Sequence, residues 1–276
     1  MKNSFIQCAD KQLIIDCPVV MGILNTTPDS FSDGGLFDNV DSALRQAEKM
    51  YSAGAAIIDI GGESTRPGAK SVSIAEELDR VIPVIEKISR EVDVIISIDT
   101  SKAAVMTAAA SAGAGMINDV LALRAEGALQ AAQQTGLPVC LMHMQGQPRT
   151  MQSAPEYTDV VAEVKNFLAQ RVEACLQQGF SRAQLLIDPG FGFGKTLAHN
   201  IRLFKQLDSF TLMDLPVLVG ASRKSMVGQI TAKNVEQRLA GSIALATLAA
   251  VKGAAIIRAH DVSETADALK IAAALG

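Results

Sequence analysis

Ionisable and amide side chains stand directly after, or at the end of, short apolar runs along most of this chain. A single Asp or Asn in such a place is commonly a helix N-cap, and we favour that interpretation for Asp119. The set as a whole is better explained as one site to which separate parts of the chain contribute. Its members are Asn25, Asp99, Asn118, Asp119, His143, Asp188, Ser222, Lys224, Arg258 and His260.

The candidates divide into two chemical groups. Asp99, Asn118 and Asp188 offer hydrogen-bond acceptors, and a carboxylate can form two charge-assisted hydrogen bonds side by side with an N–H/NH2 edge such as that of a pterin. The members of the second group carry, or can carry, positive charge: Arg66, Arg258 and His260. Positive charge of this kind suits a phosphate or a diphosphate.

A magnesium site is predicted at Asn25. Mg²⁺ takes few protein ligands and keeps water and substrate phosphates, so one Asn oxygen suffices. The net charge of the chain is −4, which argues against nucleic acid or an anionic membrane as a partner. An anionic substrate must therefore be met by a local concentration of positive charge.

The elements that position these residues are eight short apolar runs separated by helical patterns. Most of the runs are uniformly apolar, which is typical of parallel strands covered on both faces. Met116–Ile117 is the weakest of them. The runs are Val19–Leu24, Ala56–Ile60, Val94–Ile98, Met116–Ile117, Val139–Met142, Leu185–Ile187, Pro216–Val219 and Ala255–Ile257.

Five helices are predicted between and after these runs. One is capped by Asp41 and ends at Gly54, and another begins at Thr100 or Ser101 and ends at Gly113. The other three are Ile74–Ile88, Val160–Leu176 and Val235–Lys252.

Alternation of strands and helices predicts parallel strands with right-handed crossovers. Eight such units favour a closed (β/α)8 TIM barrel, with an open doubly wound sheet as the alternative. The length of 276 residues is near the roughly 250 typical of this barrel. We therefore predict a single α/β domain over residues 1–276, with its core at about 19–270. Phe5–Gln7 and Leu13–Ile15 are expected to form a short N-terminal hairpin that closes the barrel floor.

Three loops are rich in glycine or polar residues. Gly190–Thr196 resembles a phosphate-binding P-loop, but Pro189 stands where that motif requires Gly, so we reject the assignment. We interpret it as a mobile loop that presents Phe191 and Phe193 to the site. The loops at 25–35 and 61–68 are candidate lids, and ordinary solvated turns are the alternative.

The cysteines and the apolar runs bear on the compartment. The four cysteines form no CxxC pair, so free thiols are expected. No apolar run approaches the roughly 20 residues of a membrane span, and the N-terminus lacks the apolar core of a signal peptide. We expect a cytoplasmic protein with reduced thiols.

Two long motifs resemble a known family. Asn25–Asp33 (NTTPDSFSD) and Asp59–Gly68 (DIGGESTRPG) are similar to the two signatures of the dihydropteroate synthases. One departure is Ala103, where Pro is common, and at a helix start we expect little consequence. The resemblance runs over about residues 19–270, and six shorter matches follow in the family's order: Ser97–Thr100, Ile117–Asp119, Leu141–Met144, Asp188–Phe193, Ser222–Lys224 and Arg258–His260.

The resemblance implies a (β/α)8 barrel, usually a homodimer, that joins 7,8-dihydropterin-6-ylmethyl diphosphate to 4-aminobenzoate in folate biosynthesis. The products are 7,8-dihydropteroate and diphosphate, Mg²⁺ assists, and sulfonamides mimic the aminobenzoate. The implied pterin site is Asp99, Asn118, Met142, Asp188 and Lys224; the diphosphate site is Thr65, Arg66, Arg258 and His260; the aminobenzoate site is Phe31, Pro67, Phe193 and Ser222; the metal ligand is Asn25; and the catalytic residues are Arg66, Lys224, Asp99 and Asp188.

An SN1-like path is plausible for this reaction, because diphosphate leaves readily once its charge is neutralised. Two other functions stay open. Lys224 at the end of the seventh strand could be the nucleophile of a Schiff-base lyase. A non-catalytic or methyl-transferring pterin-binding barrel would keep Asp99, Asn118 and Asp188, but would not need Arg66 or the Arg258/His260 pair.

Overall fold

Eight parallel strands form the centre of the molecule. The structure is a computed structural model that describes residues 5–26, 36–64, 71–146 and 151–275. The strands are β3 (Val19–Asn25), β4 (Ala55–Gly61), β5 (Ile95–Asp99), β6 (Met116–Asp119), β7 (Val139–Met142), β8 (Leu185–Asp188), β9 (Leu218–Val219) and β10 (Ile256–Ala259). They are hydrogen-bonded in the order β8-β7-β6-β5-β4-β3-β10-β9. A parallel bridge between Ile187 and Val217 joins the two ends of this order, so the sheet is a barrel rather than an open doubly wound sheet.

Helices follow the strands and cover the barrel. They are α1 (Leu36–Ser52), α2 (Ile74–Glu91), α3 (Ala103–Ala112), α4 (Ala128–Thr135), α5 (Val160–Gln178), α6 (Leu197–Lys205), α7 (Asp208–Thr211), α8 (Ser225–Thr231), α9 (Leu239–Val251) and α10 (Val262–Leu275), with 3₁₀ turns at Arg182–Gln184 and Val235–Gln237. In α2, Val81, Val84, Ile85 and Ile88 form the buried stripe that helical spacing requires. No helix in the described ranges is long and apolar enough to cross a membrane.

Three predicted helix boundaries are wrong. The first helix begins at Leu36, so Asp41 lies inside it and is not its cap. It starts early because Val40 extends the apolar stripe of Ala43 and Ala47 toward the core. The helix after β5 begins at Ala103 rather than at Thr100 or Ser101. The predicted helix Val235–Lys252 is interrupted, since a 3₁₀ turn precedes the helix that starts at Leu239.

The polar residues at the strand ends belong to the strands. Asp99 pairs in register with Gly61 on one side and with Asn118 on the other, and Asp188 pairs with Met142. The sequence places Asp99 and Asp188 after their apolar runs, whereas the hydrogen-bonded ladders extend through them. Because side chains alternate across a strand, ladder pairing fixes the face on which each of these groups lies.

The lowest layer inside the barrel is apolar. It packs against the antiparallel hairpin of β1 (Phe5–Cys8) and β2 (Lys11–Ile14), which contributes Ile6, Cys8 and Leu13 to the same cluster. The predicted hairpin at the barrel floor is thereby confirmed. Each of the eight barrel strands contributes one of the remaining buried residues of the layer. In the order β3 to β10 they are Met21, Ile57, Ile95, Met116, Cys140, Leu186, Leu218 and Ile256.

The four cysteines are free thiols. Cys17 is exposed, whereas Cys8, Cys140 and Cys175 are buried. Burial raises the pKa of Cys8 to about 12 and that of Cys175 to about 11, and it raises the pKa of Cys140 well above its usual value. Since the thiolate is the reactive form, burial and the raised pKa values disfavour reaction of these three thiols in the folded protein.

Candidate active site

A polar layer lies two residues along the strands from the apolar layer, toward the carboxyl ends. Two-residue steps lead from Ile57 to Asp59 on β4 and from Ile256 to Arg258 on β10, on the same faces of those strands. Active sites of such barrels lie at the carboxyl ends of the strands. The buried polar members of this region are Asp59, Ser97, Asp99, Asn118 and Asp188.

Arg258 connects two carboxylates. Its Nε donates to Asp59 Oδ2 at 2.6 Å and its Nη2 donates to Asp99 Oδ2 at 2.8 Å. The Arg258 side chain is 20% exposed, and Asp59 is fully buried. The two carboxylates raise the pKa of Arg258, against the opposing effect of burial. Arg258 therefore stays charged and is held in a fixed position in the mouth of the barrel, the end formed by the carboxyl ends of the strands.

Asp59 has a role that the sequence interpretation missed. Its Oδ2 also accepts from Asn118 Nδ2 at 3.0 Å. Because a carboxylate only accepts hydrogen bonds, this contact sets the amide of Asn118 with its nitrogen toward Asp59, so its carbonyl oxygen is left as an acceptor for a ligand. Asp59 precedes Gly61 on β4, and the two-residue alternation of that strand was the signal that could have identified it.

The carboxyl groups of the site are poorly solvated. Burial raises the pKa of Asp99 to about 7, Asp59 and Asp119 add to the shift, and Arg258 opposes it. Burial also raises the pKa of Asp188, opposed by Lys224 and by the N–H of Gly190, which donates to Asp188 Oδ1 at 2.7 Å. A carboxylate in such a place forms strong hydrogen bonds with a ligand N–H edge, because water competes weakly.

Lys224 lies on the turn after β9 and faces the loop after β8. Its Nζ donates to the carbonyl oxygen of Phe191 and lies 4.2 Å from the ring centroid of Phe193. Burial lowers the pKa of Lys224 to about 8, although Asp188 opposes the shift. Of the two aromatics predicted to face the site, Phe193 does so, but Phe191 is fully buried and packs against Phe204 at 5.7 Å between ring centroids.

Ser222 and His260 meet at the carboxyl ends of β9 and β10. Ser222 Oγ lies 3.1 Å from His260 Nδ1 and accepts from the His260 backbone N–H at 3.2 Å. Between Ser222 and Lys224, Arg223 has a positive φ of 56°, and its Nε donates to Asp261 Oδ2 at 3.0 Å. The ion pair with Asp261 accounts for an arginine at this position, because it stabilises the unfavourable positive φ of Arg223 between Ser222 and Lys224.

Asp119 has the structural role that we favour, by a different contact. Its Oδ1 accepts from Leu121 N at 2.8 Å and its Oδ2 from Leu123 N at 2.7 Å, so it closes a turn after β6. The next helix begins at Ala128 and is capped by Gly127. Asp119 therefore does not cap a helix.

Lys102 is a second residue that the sequence interpretation missed. Its Nζ donates to Oε2 of Glu63 and to Oε2 of Glu77, and the Glu77 side chain is almost fully buried. Glu63 Oε1 also accepts from Val72 N at 3.4 Å. These contacts join the end of β4 to the start of α2, beside the mouth.

Four predicted site residues lie outside the described residues: Phe31, Thr65, Arg66 and Pro67. Their expected roles toward diphosphate and aminobenzoate stay predictions. Of the candidate lid loops 25–35 and 61–68, residues 27–35 and 65–68 lie outside the described residues as well.

Asn25 lies at the carboxyl end of β3, paired with Gly61. A Cβ added to Gly61 would lie 4.0 Å from Asn25 Oδ1 and 3.8 Å from Asp99 Oδ2, so these two oxygen atoms lie near the same point at the end of β4. Oxygen donors suit Mg²⁺. Within the described ranges, no three His, Cys, Asp or Glu side chains form a site that could hold a metal by themselves, so a magnesium ion here would need water or substrate oxygens.

Comparison with known proteins also indicates a pterin-binding enzyme. The family model for pterin binding enzymes matches residues 21–260. The dihydropteroate synthase of Escherichia coli K12 is 55% identical over 254 residues, which cover 92% of this chain and 90% of the relative. That of Haemophilus influenzae is 53% identical over 262 residues, with 95% of each chain covered.

Two solved structures are closely similar. The Yersinia pestis dihydropteroate synthase in complex with a sulfonamide drug has a TM-score of 0.94 and 54% identity, and 98% of each chain is covered. The Xanthomonas albilineans dihydropteroate synthase with 4-aminobenzoic acid has a TM-score of 0.94 and 49% identity, over 99% of this chain and 98% of that one. The barrel fold is thereby confirmed.

Proposed function

This chain belongs to the dihydropteroate synthases, a family of pterin-binding enzymes, and we propose that the polar layer of its barrel carries their transfer reaction. The reaction forms a C–N bond between 4-aminobenzoate and the methylene carbon of 7,8-dihydropterin-6-ylmethyl diphosphate. Diphosphate leaves and 7,8-dihydropteroate forms. The observation that carries this proposal is the network in which Arg258 joins Asp59 to Asp99 and Asp59 orients Asn118.

The pterin is proposed to bind in this network. Asp99 and Asp188 accept hydrogen bonds from the N–H/NH2 edges of the pterin, and the carbonyl oxygen of Asn118 accepts another. Lys224, which interacts electrostatically with Asp188, donates to the pterin as well, and Met142, which is buried beside Val120 and Met144, lines the pocket. Both substrates are small molecules.

Diphosphate departure is proposed to depend on positive charge at the mouth. Arg258 and His260 come from β10 and the turn that follows it, and Thr65 and Arg66 are expected to join them. A magnesium ion, when bound through Asn25 and the diphosphate oxygens, would neutralise negative charge on the leaving group. Charge that engages the diphosphate stabilises the transition state more than the ground state, because negative charge develops as the C–O bond breaks.

Bond formation needs no strong base. The aniline nitrogen of 4-aminobenzoate is a neutral nucleophile at pH 7, and in an SN1-like path it attacks an electron-deficient methylene that the dihydropterin stabilises. The new C–N bond leaves the nitrogen positively charged, and it then releases one proton to give 7,8-dihydropteroate. Asp99 and Asp188 add negative charge near that cation. Phe193 and Ser222, with Phe31 and Pro67, are proposed to hold the aminobenzoate, and a sulfonamide would occupy the same place.

The environment of Lys224 supports a hydrogen-bonding role over a Schiff base. Its Nζ is bound to the carbonyl oxygen of Phe191 and lies over the Phe193 ring. Attack on a carbonyl substrate would require a neutral amine free of these contacts. Borohydride treatment in the presence of substrate should therefore leave no adduct on Lys224, and a trapped adduct would favour the lyase.

Association into a homodimer and a cytoplasmic location complete the proposal. Apolar side chains are exposed on α9 and α10, among them Leu248, Val251 and Ile271, and burying them against a second copy would remove their apolar surface from water. The free thiols suit a reducing compartment.

One assay tests the proposed reaction. Purified protein is mixed with the pterin diphosphate, 4-aminobenzoate and Mg²⁺, and dihydropteroate and diphosphate are quantified by chromatography. Equal amounts of the two products are expected. Pterin binding without product would favour the non-catalytic pterin-binding barrel instead.

A further inference from the structure

The lysine of the glycine-rich loop does not face a phosphate site. Lys195 is 3% exposed, and its Nζ lies inside its own loop. It donates to the carbonyl oxygens of Gly190 at 2.8 Å and Phe193 at 3.1 Å, and it lies 2.9 Å from Nδ1 of His143. A phosphate-binding lysine presents its charge to a ligand, whereas this one is surrounded by backbone acceptors.

The partners of Lys195 come from two strand ends. Burial lowers the pKa of His143 to about 2, so its ring is neutral and Nδ1 can accept a hydrogen bond. His143 directly follows β7, and Gly190 and Phe193 lie on the turn after β8. Lys195 thereby joins the carboxyl ends of two neighbouring strands through a single nitrogen atom.

The same turn carries the contacts that hold Lys224. Phe191, whose carbonyl oxygen accepts from Lys224, lies between the two residues whose carbonyls bind Lys195. The Phe193 ring lies over Lys224 Nζ. Gly192 approaches so closely that a Cβ there would lie 3.1 Å from Cδ of Lys224. Moving this turn would therefore move the Phe191 carbonyl and the Phe193 ring, which both contact Lys224 Nζ.

From these contacts we propose that Lys195 is a positioning residue, which holds the turn at residues 190–193 so that Phe191 and Phe193 fix Lys224 in the pterin pocket. It acts through the turn and touches no substrate itself. The inference rests on the proposed function only for the ligand that Lys224 meets, because the link from Lys195 to Lys224 is a property of the free protein.

The decisive variant is Lys195→Met, which keeps the length and apolar body of the side chain and removes its donors. Val105→Ala is the control, since Val105 is a fully buried core residue of α3. This helix follows β5, and β6 and β7 separate β5 from β8 in the barrel. Lys195→Gln is the second variant, which keeps two donors on a shorter chain and serves if the methionine variant does not fold. Thermal midpoints are measured for all three.

The main readout is the lysine Cε–H NMR signal of Lys224, from protein labelled with ¹³Cε-lysine and assigned by its loss in Lys224→Gln. The Phe193 ring current should shift this signal upfield in the free wild-type protein. Lys195→Met should move the signal toward the ordinary lysine position and lower kcat by roughly 10- to 100-fold, in line with misplacement of a substrate-positioning group. Lys195→Gln should shift it in the same direction by less.

Val105→Ala should lower the thermal midpoint and leave the signal in place. An unmoved Lys224 signal in Lys195→Met, or equal movement in Val105→Ala, would overturn the proposal. So would a loss of inorganic pyrophosphate binding in Lys195→Met with the Lys224 signal unchanged, because that would make the loop an anion site. Absence of dihydropteroate formation by the wild type would overturn the proposed reaction but not this result.

Discussion

At the scale of single residues, the site depends on charges that are buried in pairs. Arg258 pairs with both Asp59 and Asp99, so removing Arg258 leaves two buried carboxylates without a counter-charge, which is strongly destabilising. Neutral, isosteric substitutions are therefore the informative ones at this site.

Asp99→Asn should weaken binding of the pterin. It keeps the shape of the side chain but loses charge-assisted hydrogen bonds, which costs about 1.5–3 kcal/mol, or roughly a 10- to 150-fold rise in Kd. Isothermal calorimetry with a pterin that lacks the diphosphate measures this directly. Asp93→Asn is the control, because Asp93 pairs with Lys11 at the barrel floor. Unchanged affinity in Asp99→Asn would exclude this residue from the pterin pocket.

Pterin affinity should fall as the pH rises through about 8, because Lys224 loses its positive charge there and its hydrogen bond to the pterin becomes weaker. Since the folded pKa lies below the usual 10.5, the unfolded chain holds this proton more tightly between pH 8 and 10.5. Its contribution to stability is therefore least favourable below pH 8 and improves as the pH rises through that window.

The check on this pH dependence is fluorescence titration of the pterin at several pH values. Lys224→Arg should weaken binding at pH 7 and remove the alkaline decline, because arginine stays protonated throughout the range. A decline that persists in Lys224→Arg would show that another group titrates.

At the scale of elements, the turn after β8 depends on a glycine. Gly190 has a φ of +69°, and a Cβ at this position would collide with the carbonyl oxygen of His143. Gly136 is a matched control, since its φ is +70° and a Cβ there would meet no atom within 4 Å. The two glycines have nearly the same φ and differ in how closely neighbouring atoms surround the position of the added Cβ.

Gly136→Ala should therefore cost only the left-handed backbone penalty, about 1 kcal/mol. Gly190→Ala should cost at least about 3 kcal/mol, because strain at a buried turn adds to that penalty, and it should also lower kcat. Urea denaturation with parallel activity assays separates the two effects. Equal losses in both variants would mean that the turn moves aside without consequence.

Much of the element order was readable from the sequence, and the reason is local. Uniformly apolar runs such as Val139–Met142 are typical of strands covered on both faces, and the pairing of the strands confirms them. Helix starts were read less well where an apolar stripe runs past a capping residue, as at Asp41. Lys102 was missed because its partners Glu63 and Glu77 are distant in sequence, and such contacts leave no spacing to recognise. For Asp59 the alternation of β4 was the signal, since its partners Asn118 and Arg258 are also distant in sequence.

At the scale of the whole molecule, the exposed apolar side chains of α9 bear on whether the protein forms a homodimer. Leu248 and Val251 on α9 are 52% and 64% exposed, which is unusual for neighbouring large apolar residues in a helix that already packs against α10. Sedimentation should show a dimer for the wild type. Leu248→Lys with Val251→Lys should shift it toward monomer, whereas Ile14→Lys at the barrel floor should not. A monomeric wild type would remove the homodimer from the proposal.

The three buried thiols can be used to measure which parts of the protein unfold first. Cys8 lies in the floor hairpin, Cys140 lines the barrel and Cys175 lies on α5, so an alkylating reagent can reach each one only when that part of the structure opens. In the native protein the reagent should modify Cys17 at once and the other three slowly, as mass spectrometry of peptides would show. If Cys8 then reacts before Cys140, the N-terminal hairpin opens before the barrel strands. In a chain without tryptophan, the order of thiol modification thus reports the order of unfolding.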